Sequence, residues 1–406
     1  MSERGSEVRA HRHGLSALIL VVALTGCAPT SSGTETPASV EPSVAPVASA
    51  SPSGPAAAFP TATFAGLGAE PVSDALAAEL QEVLDTSAEG DGLTATLMTP
   101  NVTWSGASGM ATAERAMVPD DQMAIASITK TIVAAQVMQL VEAGEMSLDD
   151  LAADRLPPDL DFDTNGARII DLLSMRSGIP QYFADGDELG EVVTTDPLHV
   201  WTPEEKLATV APERGPLGRD WEYTDTNYLL LGLIIEQVAG RSVAEVLRTG
   251  VLAGDGYERL IYQPDERPTE PMAMTVELGA SADAFENGGG YLPSLAMVTM
   301  FTTGGGMASD SRSLARWFGA LCAGQVISPA SLDAMTDFDE RPGYGLGVID
   351  RSGEYWPGSG AVGHKGSTTT VALCFQDTGS VVVVLANTEH DVDTVAGKLV
   401  QAASTS

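Results

Sequence analysis

Segments with the pattern of β-strands lie near both ends of this chain, whereas the stretch between them has the pattern of helices. Apolar and polar residues alternate from Leu93 to Met98, and a second strand is predicted from Val102 to Ala107. Strands are predicted again only towards the end of the chain, over Gly345–Ile349, Thr368–Phe375 and Val381–Leu385. We therefore expect an α/β fold of the α+β type. An antiparallel sheet made by both chain ends is flanked by helices, and a mostly helical domain is inserted over about residues 145–300.

The helices of this fold are predicted from apolar spacing and from residues that favour helix ends. The predicted helices span Ser73–Thr86, Ser127–Glu142, Thr226–Val238 and a segment from Ser309 or Asp310 through Leu321, and a last helix follows Asp391. Thr202 with Glu205, and Ser242 with Glu245, match the capping box, in which each side chain satisfies a backbone donor of the first turn. Two further helices are therefore expected to follow Thr202 and Ser242.

The first 26 residues have the pattern of a bacterial export signal. Three arginines precede a stretch from Leu15 to Leu24 that is apolar except for Ser16. This stretch is shorter than the roughly 20 residues that span a bilayer, and it is typical of a signal-peptide core. It ends at Cys27 in the sequence Leu-Thr-Gly-Cys, which resembles the lipobox of bacterial lipoproteins. We expect a lipid-anchored protein on the outer face of the cell membrane; the alternative is an ordinary secretory signal with an incidental cysteine.

Residues 27–71 are expected to form a tether between the lipid anchor and the folded domain. They are mostly Pro, Ser, Thr and Ala, with few large apolar side chains. Such a segment cannot bury enough surface to offset the entropy that is lost when a chain becomes ordered. The folded domain is therefore predicted to span residues 72–402.

The charge of the chain excludes one class of partner and favours solubility. The net charge is −34, and the only four lysines are Lys130, Lys206, Lys365 and Lys398. Nucleic-acid binding needs clustered Lys and Arg side chains that neutralise phosphates, so we expect no nucleic-acid partner. His199 and His390 lack the spacing of metal ligands, and we expect neither a metal nor another cofactor.

Ser127 and Lys130 lie three residues apart at the start of a long apolar helix. Residues at this spacing share a helix face, so the amine can reach the hydroxyl group. The helix N-terminus favours negative charge on the serine oxygen, and a partly desolvated lysine can act as a base near neutral pH. A serine at a helix start is often only a cap, so the pair alone is weak support for a nucleophile.

Two further motifs strengthen the interpretation of Ser127 as a nucleophile. Tyr223-Thr-Asp225 and His364-Lys-Gly366 follow the Ser-x-x-Lys motif in the chain. Ser-x-x-Lys, Tyr-x-Asp and His-x-Gly in this order resemble the serine β-lactamase / D-alanyl-D-alanine carboxypeptidase superfamily. The likeness is to class C β-lactamases, the actinomycete DD-carboxypeptidases among the penicillin-binding proteins, and related esterases. It extends from Gly92 to Thr388.

The resemblance implies roles for the residues of these motifs. Ser127 would attack the carbonyl group and become acylated, and Lys130 and Tyr223 would share the transfer of protons. The backbone N–H groups of Ser127 and Ser367 would hold the oxyanion. His364 would steer protons and charge on the far wall of the cleft, in the motif that ends at Gly366. These roles need no metal.

The substrate depends on two residues that depart from the common family pattern. Asp225 stands where many relatives have Asn, so it cannot donate an amide N–H to a substrate and it adds negative charge near Lys130. Lys365 within the His motif, together with Arg351 upstream, is expected to bind a substrate carboxylate.

The expected partner is therefore a small substrate outside the membrane. The first choice is the D-Ala-D-Ala end of a cell-wall peptide, and a β-lactam or a short ester is the alternative. We expect a monomeric serine hydrolase. A non-catalytic sensor or scaffold at the cell wall is the alternative from another class, but it does not require the serine, lysine and tyrosine that this chain retains.

The two remaining cysteines offer a further expectation. Cys322 lies at the end of a predicted helix and Cys374 on a C-terminal strand. Helices pack on the sheet in this architecture, and a compartment outside the cytoplasm permits disulfides. A disulfide between them is one outcome, and two buried free thiols are the other.

Overall fold

The computed structural model describes residues 58–68, 70–88, 90–183, 195–263, 265–274, 282–338, 343–352, 359–367 and 369–405. The predicted signal peptide, Cys27 and the tether up to residue 57 lie outside the described residues. The part of the chain from Ala58 onward forms one unit by its internal contacts.

Both chain ends contribute strands to one sheet. The ten strands in the described part of the chain are β1 Glu70–Pro71, β2 Leu93–Met98, β3 Val102–Ser108, β4 Met123–Ala124, β5 Ile261–Tyr262, β6 Met307–Ser309, β7 Ile349–Asp350, β8 Ala361–Gly366, β9 Thr370–Phe375 and β10 Ser380–Ala386. Seven of them form a sheet in the order β1-β3-β2-β10-β9-β8-β7. The C-terminal β10 pairs antiparallel with the N-terminal β2, with Val383 opposite Thr96. The predicted sheet made by both chain ends is confirmed.

Eleven α-helices lie in the described part of the chain. They are α1 Asp74–Ser87, α2 Thr129–Glu142, α3 Ile169–Leu173, α4 Pro203–Leu207, α5 Asp225–Ala239, α6 Val243–Thr249, α7 Ala282–Asn287, α8 Leu295–Gly305, α9 Ser311–Cys322, α10 Pro329–Met335 and α11 Val392–Thr405. Both capping boxes are present, at Thr202 before α4 and at Ser242 before α6. None of the helices within the described ranges combines the length and the apolar character needed to cross a membrane.

The two faces of the large sheet are covered by different helices. Helices α1 and α11 pack on one face, and α9 packs on the other, where α2, α5 and α8 complete the core. Successive residues of a strand point to opposite faces. On β9, Leu373 therefore belongs to the core under α1 and α11, whereas Cys374 belongs to the core under α9. A second, three-stranded sheet in the order β4-β6-β5 lies beside the start of α2.

The folded part of the chain begins earlier than its composition predicts. Residues 58–71 were assigned to the tether, but Phe59 and Phe64 are buried and their rings stack at 5.8 Å between centroids. A 3₁₀ helix spans Thr61–Phe64, and β1 pairs in parallel with β3. Two aromatic side chains bury enough apolar surface to order a short segment that is otherwise rich in small and polar residues.

The strand predicted over Gly345–Ile349 is wrong except at its last residue, which starts β7. Gly347 has a φ of +75°, and its carbonyl oxygen accepts a hydrogen bond of 2.7 Å from the hydroxyl of Thr131 on α2. A residue in the left-handed region cannot continue a strand. The segment therefore turns and packs on α2.

Candidate active site

Ser127 lies in a tight turn between β4 and α2. The turn is a 3₁₀ helix over Ala126–Ile128, and α2 begins at Thr129 rather than at Ser127 as predicted. Ala126 has a φ of +44°, which is rare for residues other than glycine. The N–H of Ile125 bonds to the carbonyl of Met307 on β6 at 3.0 Å, which ties the turn to the small sheet. Backbone strain of this kind clusters at functional sites, where the surrounding structure maintains it.

The amine of Lys130 contacts three acceptors. Its Nζ lies 3.2 Å from Ser127 Oγ, 2.5 Å from Asp225 Oδ1 and 2.6 Å from the carbonyl oxygen of Gly304. The side chain is fully buried. An ammonium has three N–H donors, and each of them has an acceptor here. The structure therefore brings Ser127, Lys130 and Asp225 together.

Two opposing effects determine the pKa of Lys130. Burial disfavours the charged form and lowers the pKa, whereas the charge of Asp225 and the interactions with Asp225 and the phenol of Tyr223 raise it. The carboxylate and the phenol outweigh burial, so the pKa of Lys130 is raised above its ordinary value. The resting lysine is therefore protonated at neutral pH, and only its small neutral fraction can accept a proton from Ser127.

Tyr223 lies at the same point of the cleft. Its ring centroid is 4.8 Å from Lys130 Nζ, and its phenol oxygen interacts with both Lys130 and Ser127. Burial raises the pKa of Tyr223, and the nearby Lys130 partly opposes this effect. The ring packs against Trp221 and Tyr344. These rings form an aromatic wall beside the serine, and a neutral phenol there can relay a proton.

Gln181 holds Asp225 in place, and the sequence contained no signal for this role. The backbone N–H of Asp225 donates to Gln181 Oε1 at 2.6 Å, and Gln181 Nε2 donates to Asp225 Oδ2 at 3.2 Å. One carboxylate oxygen therefore faces Lys130 and the other faces Gln181. With both oxygens occupied, Asp225 stabilises the lysine and is not oriented towards a substrate.

His364 is in the site but carries no charge at neutral pH. It is buried on β8, and its Nε2 lies 3.5 Å from the hydroxyl of Tyr344. Burial, together with the charge of Lys130, lowers the pKa of His364 to about 3. The neutral ring adds no positive charge to the far wall of the cleft, but it can still make hydrogen bonds. The role of His364 in steering protons stays a prediction.

Lys365 and Arg351 are both paired with Asp393, which argues against their predicted role in binding a substrate carboxylate. Lys365 Nζ is 2.6 Å from Asp393 Oδ2, and an Arg351 Nη atom is 3.0 Å from Asp393 Oδ1. Asp393 is buried at the start of α11. Adjacent residues on a strand point to opposite faces, so His364 faces the cleft and Lys365 faces α11. The two cations join the sheet to α11 instead.

The end of β8 lies against the turn that carries Ser127. A Cβ placed on Gly366 would come within 2.4 Å of the carbonyl oxygen of Ile125 and 3.1 Å of the Cβ of Ala126. Only glycine permits this approach. Ser367 follows with a φ of +52°, in a turn. The N–H groups of Ser127 and Ser367 stay the predicted oxyanion donors.

Other buried residues in this part of the chain are structural. Trp317 and Tyr228 are fully buried, and the indole N–H of Trp317 donates to the carbonyl of Val251 at 3.0 Å. Cys322 and Cys374 are joined by a disulfide, which links α9 to β9. Within the described ranges, no group of three or more His, Cys, Asp or Glu residues could hold a metal ion.

The sequence model of the Beta-lactamase family matches residues 80–405. The chain belongs to this family. The match covers the sheet from β2 to β10, most of α1, the helices from α2 onward and all of the site described above, from Ser127 to Ser367. The members are serine hydrolases, and the predicted superfamily is thereby confirmed.

Individual relatives of this Beta-lactamase family protein are distant. Penicillin-binding protein 4 of Amycolatopsis lactamdurans is 28% identical over 297 residues, which cover 67% of this chain and 74% of the relative. Penicillin-binding protein 4* of Bacillus subtilis (strain 168) is 29% identical over 149 residues, which cover 36% of this chain and only 31% of the relative. A D-stereospecific amidohydrolase from Streptomyces sp. shares the fold with a TM-score of 0.65 and 24% identity, over 80% of this chain and 98% of that structure.

Proposed function

We propose that this chain is a serine hydrolase that cleaves amide or ester carbonyl compounds through an acyl-enzyme on Ser127, without an ion pair to a substrate carboxylate. The observation that supports it most directly is the 3.2 Å contact between Lys130 Nζ and Ser127 Oγ inside a buried cluster. A nucleophile and its base must lie within hydrogen-bond reach of one another.

The proposed reaction uses the neutral fraction of Lys130. Ser127 Oγ bonds to the substrate carbonyl carbon while its proton moves to the amine of Lys130. The bond to the leaving nitrogen or oxygen then breaks, and the leaving group takes up a proton through the phenol of Tyr223. Water next attacks the acyl group and releases Ser127. Because the pKa of Lys130 is raised, acylation accelerates as the pH rises towards that pKa.

In the described part of the chain, the cations predicted to bind a substrate carboxylate are engaged elsewhere, which supports a substrate that needs no free carboxylate. Lys365 and Arg351 are bound to Asp393, and His364 is neutral. Among the described residues, Lys130 is the lysine that contacts Ser127, and Asp225 neutralises it. After residue 58, the only Lys or Arg outside the described ranges is Arg341.

A D-Ala-D-Ala carboxypeptidase is the second candidate. The relation to penicillin-binding protein 4 of Amycolatopsis lactamdurans, over 74% of that protein, favours it. Two substrates that differ in one group separate the candidates: a D-Ala-D-Ala peptide and the same peptide with a C-terminal amide. The first proposal predicts similar rates for both, whereas a carboxypeptidase prefers the free acid strongly.

Intact-mass spectrometry with penicillin tests the shared part of both candidates. The wild-type protein should gain the mass of one penicillin, and Ser127→Ala should gain none while it remains folded. A chromogenic cephalosporin and a short-chain ester, tested beside the peptide pair, give the substrate class. A label that persists in Ser127→Ala would place the nucleophile elsewhere, and a wild type that reacts with none of the substrates would favour the scaffold.

We also propose that the protein is exported and lipidated on Cys27, which places the enzyme outside the cell membrane. The support is the signal-like stretch that ends in Leu-Thr-Gly-Cys. Labelling of cells with an alkyne-bearing fatty acid tests it. The label should appear on the wild-type chain and not on Cys27→Ser; equal labelling of both would contradict lipidation at this residue.

A further inference from the structure

Lys206 is a second buried lysine, and the proposed reaction does not use it. It lies in α4, and its side chain is fully buried. Its Nζ donates to the carbonyl oxygens of Thr299 at 2.8 Å and Met300 at 3.3 Å. Within the described residues, these hydrogen bonds go to backbone oxygens on α8 and not to a carboxylate. Burial of an amine without an adjacent acid is unfavourable because the amine loses its solvation, and an apolar side chain would fill the same space without that loss. A role for the amine would explain its presence.

The acceptors of Lys206 lie just before a break in α8. Thr302 has φ 37° and ψ −120°, which interrupts the helix. Carbonyl groups that precede such a break lose regular helical donors and require others when they are buried. The hydroxyl of Tyr182 also donates to the carbonyl of Met300, at 2.9 Å. Lys206 and Tyr182 together supply side-chain donors at the break.

The residues after the break contact the catalytic lysine. The carbonyl of Gly304 accepts a hydrogen bond of 2.6 Å from Lys130 Nζ. A Cβ on Gly304 would lie 2.8 Å from Asp225 Oδ1, so the backbone passes directly against the ion pair. Only three residues separate Met300 from Gly304. The position of the Gly304 carbonyl group therefore depends on the hydrogen bonds that fix the backbone just before the break.

We propose that Lys206 is a positioning residue for acylation. By holding the carbonyl groups of Thr299 and Met300 at the break in α8, it sets the place of the Gly304 carbonyl and thereby the direction of the Lys130 amine. The inference rests on the proposed acyl-enzyme function, and it adds to it a residue that touches neither the substrate nor Ser127.

The chemistry of the amine suits this role at every pH near neutrality. Burial lowers the pKa of Lys206 to about 7, and Asp225 on α5 partly opposes the effect. The titratable ring that packs against the amine is that of Tyr182, 5.9 Å away at its centroid. Both the ammonium and the neutral amine keep at least two N–H donors, which is the number that the two carbonyl groups need.

Three variants test the positioning role. Lys206→Met keeps the length and the apolar stem and removes the donors, and Tyr182→Phe removes only the second donor to Met300. Leu207→Ala, at the next residue of α4, is the matched control because it weakens packing and keeps the amine. For each variant we would measure the rate constant of acylation by penicillin, the dissociation constant of the preceding non-covalent complex, and the pH profile of acylation.

The expected result is a loss of acylation rate without a loss of binding. A catalytic group displaced by about 1 Å can cost up to roughly a hundredfold in rate, so Lys206→Met should lower the acylation rate constant roughly tenfold or more. Tyr182→Phe should lower it less, and both should move the acid limb of the pH profile, because the Gly304 carbonyl stabilises protonated Lys130. Leu207→Ala should keep the wild-type rate and profile.

Other outcomes would overturn the inference. Wild-type acylation in Lys206→Met, or an equal loss in Leu207→Ala, would leave Lys206 with a general structural role. If Lys206→Met does not fold, a wild-type rate and profile in Tyr182→Phe overturns the inference. No acylation of the wild-type protein would contradict the proposed function itself, and this inference with it.

Discussion

Lys130 and Lys206 are both fully buried, yet their pKa values shift in opposite directions. Lys130 has a carboxylate at 2.5 Å, and its pKa is raised. Lys206 has two backbone carbonyl groups and a distant carboxylate, and its pKa falls to about 7. Carbonyl groups accept hydrogen bonds but do not replace the solvation of a charge, whereas an adjacent ionised acid does. Asp225 is therefore the main group that keeps the buried lysine of the active site charged.

Replacing Lys130, the buried lysine that takes part in the proposed reaction, should have the largest effect. Lys130→Ala should reduce acylation by penicillin by roughly a thousandfold, since general acid–base groups contribute about 10²–10⁴ in rate. Stopped-flow labelling measures it. Lys398→Ala is the control, because Lys398 is an exposed lysine on α11. A rate within tenfold of the wild type in Lys130→Ala would remove Lys130 from the proton transfer.

Asp225→Asn should lower the pKa of Lys130 below its ordinary value, as burial does for Lys206. Without the carboxylate, burial dominates and the pKa of Lys130 falls, so the acid limb of acylation should move to lower pH. At pH 7 the rate should rise about tenfold for each unit by which the pKa falls. The measurement is the pH profile of acylation from pH 5 to 10. Asp220→Asn changes an exposed acid in the same segment and should leave the profile unchanged.

A slower reaction in Asp225→Asn at every pH would contradict this account. Asp225 would then position Lys130, and its effect on the lysine charge would be secondary. Thermal melting of the variant must accompany the kinetics, because removal of one partner of a buried ion pair can cost about 3–5 kcal/mol when the remaining group stays charged.

Lys206→Met should change how stability depends on pH. Between pH 7 and the ordinary lysine pKa of 10.5, the unfolded chain binds a proton at Lys206 that the folded protein does not. The free energy of unfolding of the wild type should therefore rise with pH relative to Lys206→Met, by up to about 1.4 kcal/mol per pH unit. Below pH 7 both states bind the proton, and the difference is constant. Urea unfolding of both proteins between pH 6 and 9 gives this slope, and parallel curves would contradict the lowered pKa.

Lys365→Ala should have the smallest effect on the reaction. The side chain binds Asp393 on the face of the sheet opposite to Ser127, so acylation rates should stay within about twofold of the wild type for both the free-acid peptide and its amide. The free energy of unfolding should fall by about 1–3 kcal/mol, because the buried Asp393 loses one of its two cationic partners. A lower acylation rate with the free-acid peptide alone would show that Lys365 takes part in substrate binding.

Short-range patterns predicted the elements that hold the site. Capping boxes, apolar spacing and strand alternation gave α4, α6, β2 and β10 close to their observed bounds, because these signals depend on neighbours within a few residues. The predicted start of the catalytic helix was two residues early. The turn at Ser127 is held by contacts with β6 and β8, which come from residues far away in the sequence.

The sequence alone determined the family, the order of the motifs and the pairing of Ser127 with Lys130, since a spacing of three residues on a helix turn brings the two side chains together. It also placed Asp225 close enough to change the lysine charge. Only the tertiary structure decided which way Lys365 points, that His364 is neutral, and that Gln181 and Gly304 complete the site. Whether a side chain faces the cleft or the opposite helix depends on strand register and packing, and its charge depends on groups brought together from distant parts of the chain.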